Sequence, residues 1–266
     1  MEYQVQQREW RKEWNRLRAD EVAYLRSHSR KRENIVNKKA AEIMPDDMQE
    51  VLNKAFDKAF ALVFEKGTGF IEKTYPKEKI RLAHREAERE LSNGNKQKME
   101  IAAKSRREAE KSKGIHLAVS AVEGGVLGAL GIGVPDIPVF VGVLLRSIYE
   151  IAEHYGYNYE SEWERIFILK LMENAMCWGE ELRRKDRELN DVIESGAAWK
   201  ESAEEQTERT ARALSKELLY MKFLQTIPLA GVIGGTSDVW CMKQIGDYAE
   251  LKYRRRFLIN RDSMGQ

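Results

Sequence analysis

An all-α fold is what this sequence predicts, and three observations carry the prediction. Helix formers dominate, and proline, which a helix interior tolerates least, occurs five times in 266 residues. Apolar residues recur at the three-, four- and seven-residue spacings of a helix face. No stretch shows the period-two alternation of a strand, and no short repeat marks a solenoid. The expected architecture is a multi-helix bundle around a central, apolar, glycine-rich helical hairpin, with no sheet. A content of 42% apolar and 33% charged residues fits a globular chain with a heavily solvated surface. The 45 basic and 43 acidic residues nearly cancel. That balance argues against a nucleic-acid binder, which carries a strong basic excess.

Residues 1–42 form a charged N-terminal helix without Pro or Gly. Trp10, Trp14, Leu17, Tyr24 and Leu25 make an aromatic stripe along it. The stripe either packs on the body of the protein or sits at a membrane interface. Acidic residues, among them Glu9, Glu13, Asp20 and Glu21, dilute its positive charge. A helical domain is expected over 43–260, with a tail at 261–266. Within it, Pro45 precedes a clear helical face from Met48 to Val63, and Gly67-Thr68-Gly69 stops that helix. Pro76 opens the next helix, and Ser92-Asn93-Gly94-Asn95 reads as a turn. A basic helix with Lys111 and Lys113 then runs toward the hairpin, as a juxtamembrane anchor would.

The hairpin spans Gly114 to Gly156. From Ile115 to Val134 the only ionisable groups are His116 and Glu123. Pro135 disfavours helix at Val134, Asp136 is placed to cap a new helix, and Pro138 fits its first turn. Gly156 is the stop signal. A membrane span needs about 20 apolar residues. The first arm nearly reaches this, whereas the second carries Arg146, Glu150 and Glu153. The alternatives are burial in a bundle core, insertion into or docking onto a bilayer, and a ligand-binding glycine loop. Downstream, Asn158 or Ser161 caps a long helix expected to run to Arg183-Arg184-Lys185, and Gly196 marks a break. A further helix over 199–225 leads to a second glycine-rich corner with Pro228, Gly231 and Gly235. Asp238 is expected to cap the last helix, which ends in Arg254-Arg255-Arg256. Those arginines, with Trp10, Trp14, Lys111 and Lys113, are the candidate lipid-facing residues.

Chemistry is sparse. No metal-binding, phosphate-loop or nucleophile-elbow motif occurs, and Cys177 and Cys241 form no C-x-x-C pair. A reducing compartment is the expectation for such thiols, and the first residues hold no apolar signal segment. No metal and no cofactor are expected. His116, Glu123 and His154 are weak catalytic candidates, because acid–base work needs partners from other helices. The corners around Pro135, Asp136 and Pro138, and around Pro228, Gly231, Gly235 and Asp238, are structural turns or possible ligand sites.

Gly-x-Gly-Val-Pro-Asp-Ile-Pro followed by Arg146-x-Ile148-Tyr149-Glu150-Ile151-Ala152-Glu153-x-Tyr155-Gly156-Tyr157 resembles the signature of the EcsC protein family. Ile227-Pro228-x-x-Gly231-x-x-Gly234-Gly235, continuing to Ala249-x-x-x-Tyr253-x-x-Arg256-Phe257-Leu258, is similar to its closing motif. The resemblance covers roughly residues 40–258, with residues 1–30 as an added helix. It implies a bacterial helical protein of undefined activity, named for association with an ABC transporter linked to secretion. The expected function is a membrane-peripheral accessory role at the inner face of the cell membrane. The partner would be the membrane surface or a membrane protein, not nucleic acid. A lipid-acting hydrolase and a soluble interaction module are the alternatives.

Overall fold

The computed structural model describes residues 2–29, 46–65, 69–72, 77–91, 137–225 and 237–263. All regular elements among them are helices: α1 (Glu2–Ser27), α2 (Asp46–Glu65), the single turn α3 (Gly69–Glu72), α4 (Lys77–Leu91), α5 (Ile137–His154), α6 (Glu162–Ala175), α7 (Gly179–Ser195), α8 (Ala203–Gln225) and α9 (Ser237–Ser263). The expected all-α bundle is what the chain forms.

Helix α5, the second arm of the predicted hairpin, is the centre of the bundle. It packs against α2, α3, α4 and α9. Val141, Leu144, Leu145, Ile148, Ile151 and Ala152 are at most 1% exposed. Burying a side chain of this size contributes about 1.5–3 kcal/mol, so this arm is committed to the protein core. Its Arg146 and Glu150 pair with each other at 3.1 Å, and Glu153 is held by Arg81 of α4 at 2.8 Å. The first arm lies outside the described residues. Among the described residues, no helix is long and apolar enough to cross a membrane.

Helix α5 ends as its sequence dictates. Gly156 has φ +79°. Its N–H donates to the Glu153 carbonyl at 3.0 Å, and the Tyr157 N–H donates to the Ala152 carbonyl at 2.9 Å. This paired closure requires a left-handed residue, which glycine adopts without a Cβ penalty. Space demands glycine as well, since a Cβ there would lie 2.2 Å from Nε2 of His84. The Ser161 hydroxyl accepts from the Glu164 N–H at 3.2 Å and caps α6.

The long helix expected from Ser161 to Lys185 is in fact two. Helix α6 closes at Met176, and α7 restarts at Gly179, which has φ +57°. The break is fastened from outside, by a 2.8 Å bond from the Gly179 N–H to the carbonyl of His28. Helix α7 then ends at Gly196, φ +66°, whose N–H donates to the Val192 carbonyl at 2.9 Å. Helix α8 begins with a capping box, in which Ser202 and Glu205 each accept the other's backbone N–H, at 3.2 and 3.0 Å. It packs between α2 and α6.

Candidate functional site

Helix α9 carries the most unusual chemistry in the fold. Its arginines, expected to face lipid, point inward. Lys252, two residues before them on the same helix, is fully buried, at 0% exposure. Its ammonium lies 2.7 Å from Asp186 Oδ1 of α7 and 2.9 Å from Glu21 Oε1 of α1. It also donates to Asn190 Oδ1 at 2.9 Å. The Tyr248 hydroxyl donates to Asp186 at 2.9 Å. Arg255 grips the same Glu21 with two bonds, of 3.0 and 2.6 Å, and reaches Glu194 at 2.6 Å. Burial works to raise the Glu21 carboxyl, but the Arg255 bond and the nearby charges prevail and hold it below its ordinary value.

Arg254 is 3% exposed and bonds Asp20 of α1 at 2.9 Å. Its Nε and second terminal nitrogen meet no hydrogen-bond partner among the described residues. Arg256 bonds both Glu164 oxygens, at 2.7 and 2.9 Å. Around its guanidinium stand the rings of Tyr157, Phe167 and Trp163, at 4.0, 4.4 and 4.7 Å. A planar cation stacks on such rings while its edge serves the carboxylate. The Arg254–Arg256 run is therefore an internal clamp holding α1, α6 and α7 to α9.

The tryptophans expected at a membrane turn the same way. Trp10 and Trp14 are partly buried and pack against the hydrophobic core. Leu17 and Tyr24 of the same stripe are in that core. Pro138 is an exposed second residue of α5, and Asp238 is the second residue of α9 rather than the position before it. His116, Glu123, Pro135, Asp136, Pro228, Gly231, Gly235, Lys111 and Lys113 lie outside the described residues.

The remaining histidines sit at two places. His28, buried at the end of α1, sets Nδ1 2.7 Å from the Tyr24 carbonyl and Nε2 2.5 Å from Gln244 Oε1. His84 and His154 are half-buried at the close of α5, where the His84 ring meets Gly156.

A cleft of ≈ 390 Å³ opens between α6, α7 and the segment before α8, walled by Trp199. Six of its charged groups are already paired, among them Arg184 with Glu188 at 2.7 Å. Lys170 bonds Glu201, and Lys185 lies 2.5 Å from Glu173, whose other oxygen accepts from Gln206 at 2.7 Å. Burial depresses the Lys170 ammonium below its ordinary value. For Glu173, burial acts upward, but the charge and hydrogen bond of Lys185 outweigh it and lower the carboxyl. None of the described histidines lines the cleft. Among the described residues, no cluster of three or more His, Cys, Asp or Glu could hold a metal ion. The sequence reading missed both the clamp and the cleft. The faint signal was the match between two adjacent acids, Asp20 and Glu21, and a late basic run.

These features define a class: an all-α domain whose first and last helices are joined by buried ion pairs on a basic final helix. The EcsC protein family matches residues 7–258, and the chain belongs to that family. The match begins inside α1, so it takes in the helix that the two motifs alone left outside. Over 152 residues the chain is 25% identical to "Uncharacterized protein YdbA" of Bacillus subtilis (strain 168), covering 53% of this chain and 53% of that protein. The match thus spans about half the length of that relative. No solved structure shows a significant match.

Proposed function

We propose that this chain is a non-enzymatic, helical accessory protein acting peripherally at the inner face of a bacterial membrane. Its partner in this reading is the membrane surface or a membrane protein, such as an ABC transporter or a component of secretion. The observation that carries it is the stretch from Ile115 to Val134, with two ionisable groups in a chain that is 33% charged, entered through Lys111 and Lys113. An apolar segment behind a basic flank suits an anionic interface. The burial of α5 favours surface association over insertion of a whole hairpin.

The experiment is fractionation of bacterial cells expressing the chain. It is expected in the membrane pellet at low salt and in the supernatant after a wash at about 1 M salt, where charges more than about 3 Å apart are screened. Recovery wholly in the soluble fraction at low salt would refute the peripheral reading.

A further inference from the structure

We propose that the outward face of α1 is a docking surface for an anionic lipid bilayer, held by charge and without insertion. The inference rests on the peripheral reading and names the surface that makes the contact. The sequence of α1 mixes acids with bases, but the fold sorts them. Glu13 and Glu21 are buried, and Asp20 is half-buried and bonded to Arg254. Among the described side chains of α1, every charged one that is exposed is basic: Arg8, Arg11, Lys12, Arg16, Arg18 and Arg26.

At 3.6 residues per turn these six occupy an arc of about 160°, and the rise of the helix spreads them over about 27 Å. Glu13, about 60° beyond that arc, accepts from Arg16 at 2.6 Å. Arg8 and Arg26 stand at its middle, with Arg11 and Lys12 to either side. Lys252 and Arg255 bind Glu21, and Arg254 binds Asp20, on the side that faces α9. Among the described side chains, the clamp thereby leaves exposed charges of a single sign on a helix of mixed charge. Such a face attracts anionic headgroups.

Among the described side chains, the arc offers only Ala19, Val22 and Ala23 as exposed apolar groups, too little for insertion. Among the described side chains it carries no exposed aromatic on which bases could stack, and the chain's net charge is +2, so lipid is favoured over nucleic acid.

The test is co-sedimentation of the full chain with vesicles of phosphatidylglycerol and phosphatidylcholine, against vesicles of phosphatidylcholine alone. Binding is expected only to the anionic vesicles. Raising salt from about 0.1 M to about 1 M, which shortens the screening length from about 10 Å to about 3 Å, should release the protein. Arg8→Gln, Arg11→Gln and Arg26→Gln together should weaken partitioning about a hundredfold, since each basic residue near the surface is worth about fivefold. The control combines Arg183→Gln, Arg187→Gln and Lys216→Gln, three exposed bases on other helices with the same change in charge. It should bind like the wild type.

Equal binding to neutral vesicles, wild-type binding by the α1 triple variant, or an equal loss in the control overturns the proposal. So does retention on a nucleic-acid duplex without vesicle binding. In each of these cases the peripheral reading survives if the chain still pellets with native membranes, and it falls only if that fractionation fails too.

Discussion

Replacing Lys252 with Met tests whether the buried clamp holds the fold. The methionine keeps most of the volume and removes the charge. Asp186 then loses its contact at 2.7 Å and Glu21 its contact at 2.9 Å, in a place where both carboxylates are less than 10% exposed. Breaking a buried pair by removing one partner costs about 3–5 kcal/mol. Glu21 keeps two bonds from Arg255, and Asp186 keeps Tyr248 and Asn190. That retained support puts the expected cost at the lower end, about 3 kcal/mol. For a chain of this size it corresponds to a fall in Tm of about 6–12 °C. Urea and thermal unfolding followed by circular dichroism measure it. Adding Asp186→Asn to Lys252→Met removes the orphaned charge, so the double variant should recover at least about 1 kcal/mol relative to the sum of the single losses. A Lys252→Met variant as stable as the wild type, or strictly additive losses, would refute the account.

Four further outcomes follow from the same geometry. Arg256→Lys should lower stability by about 2 kcal/mol, because a lysine cannot both stack on three rings and bond two carboxylate oxygens; an unchanged melt counts against the cage. Gly156→Ala should cost more than Gly196→Ala: each carries left-handed strain of about 1–2 kcal/mol, but only at Gly156 would the new Cβ meet a neighbour, His84. Thermal melts in which Gly196→Ala is the worse variant would contradict this. Glu21 and Glu173 have folded-state pKa values below their ordinary 4.5. Their contribution is therefore present above about pH 4.5 and is lost as pH falls through the lower folded values. Stability that rises on acidification across that window would reverse the sign. Burial pushes the Cys177 thiol up to about 11, so a thiol reagent at neutral pH should label it only after unfolding; rapid labelling of the native protein, mapped by mass spectrometry, would show the site to be open.

Much of the fold was legible locally. Gly156, Ser161 and Gly196 announced the ends of helices because each acts through bonds to its own neighbours in sequence. The gap between α6 and α7 was not, since Met176 to Trp178 contain no breaker and Gly179 is held by His28, some 150 residues away. The run Arg254-Arg255-Arg256 misled for a geometric reason. Successive residues on a helix fan out by about 100°, so three neighbouring arginines face Asp20, Glu21 and Glu164 rather than one surface. The aromatic stripe of α1 was correctly periodic, but periodicity gives only a face, not what covers it. The cover is α9, and its complementarity appears only when the two ends of the chain are set side by side.

That pairing also sets a timetable for synthesis. Glu21 and Lys252 are 231 residues apart. At a translation rate of about 5–20 residues per second, α1 leaves the ribosome about 10–50 s before its partner helix is made. During that interval Asp20 and Glu21 have none of the cations they later bind. The nascent chain therefore carries α1 without these ionic partners until α9 has been made.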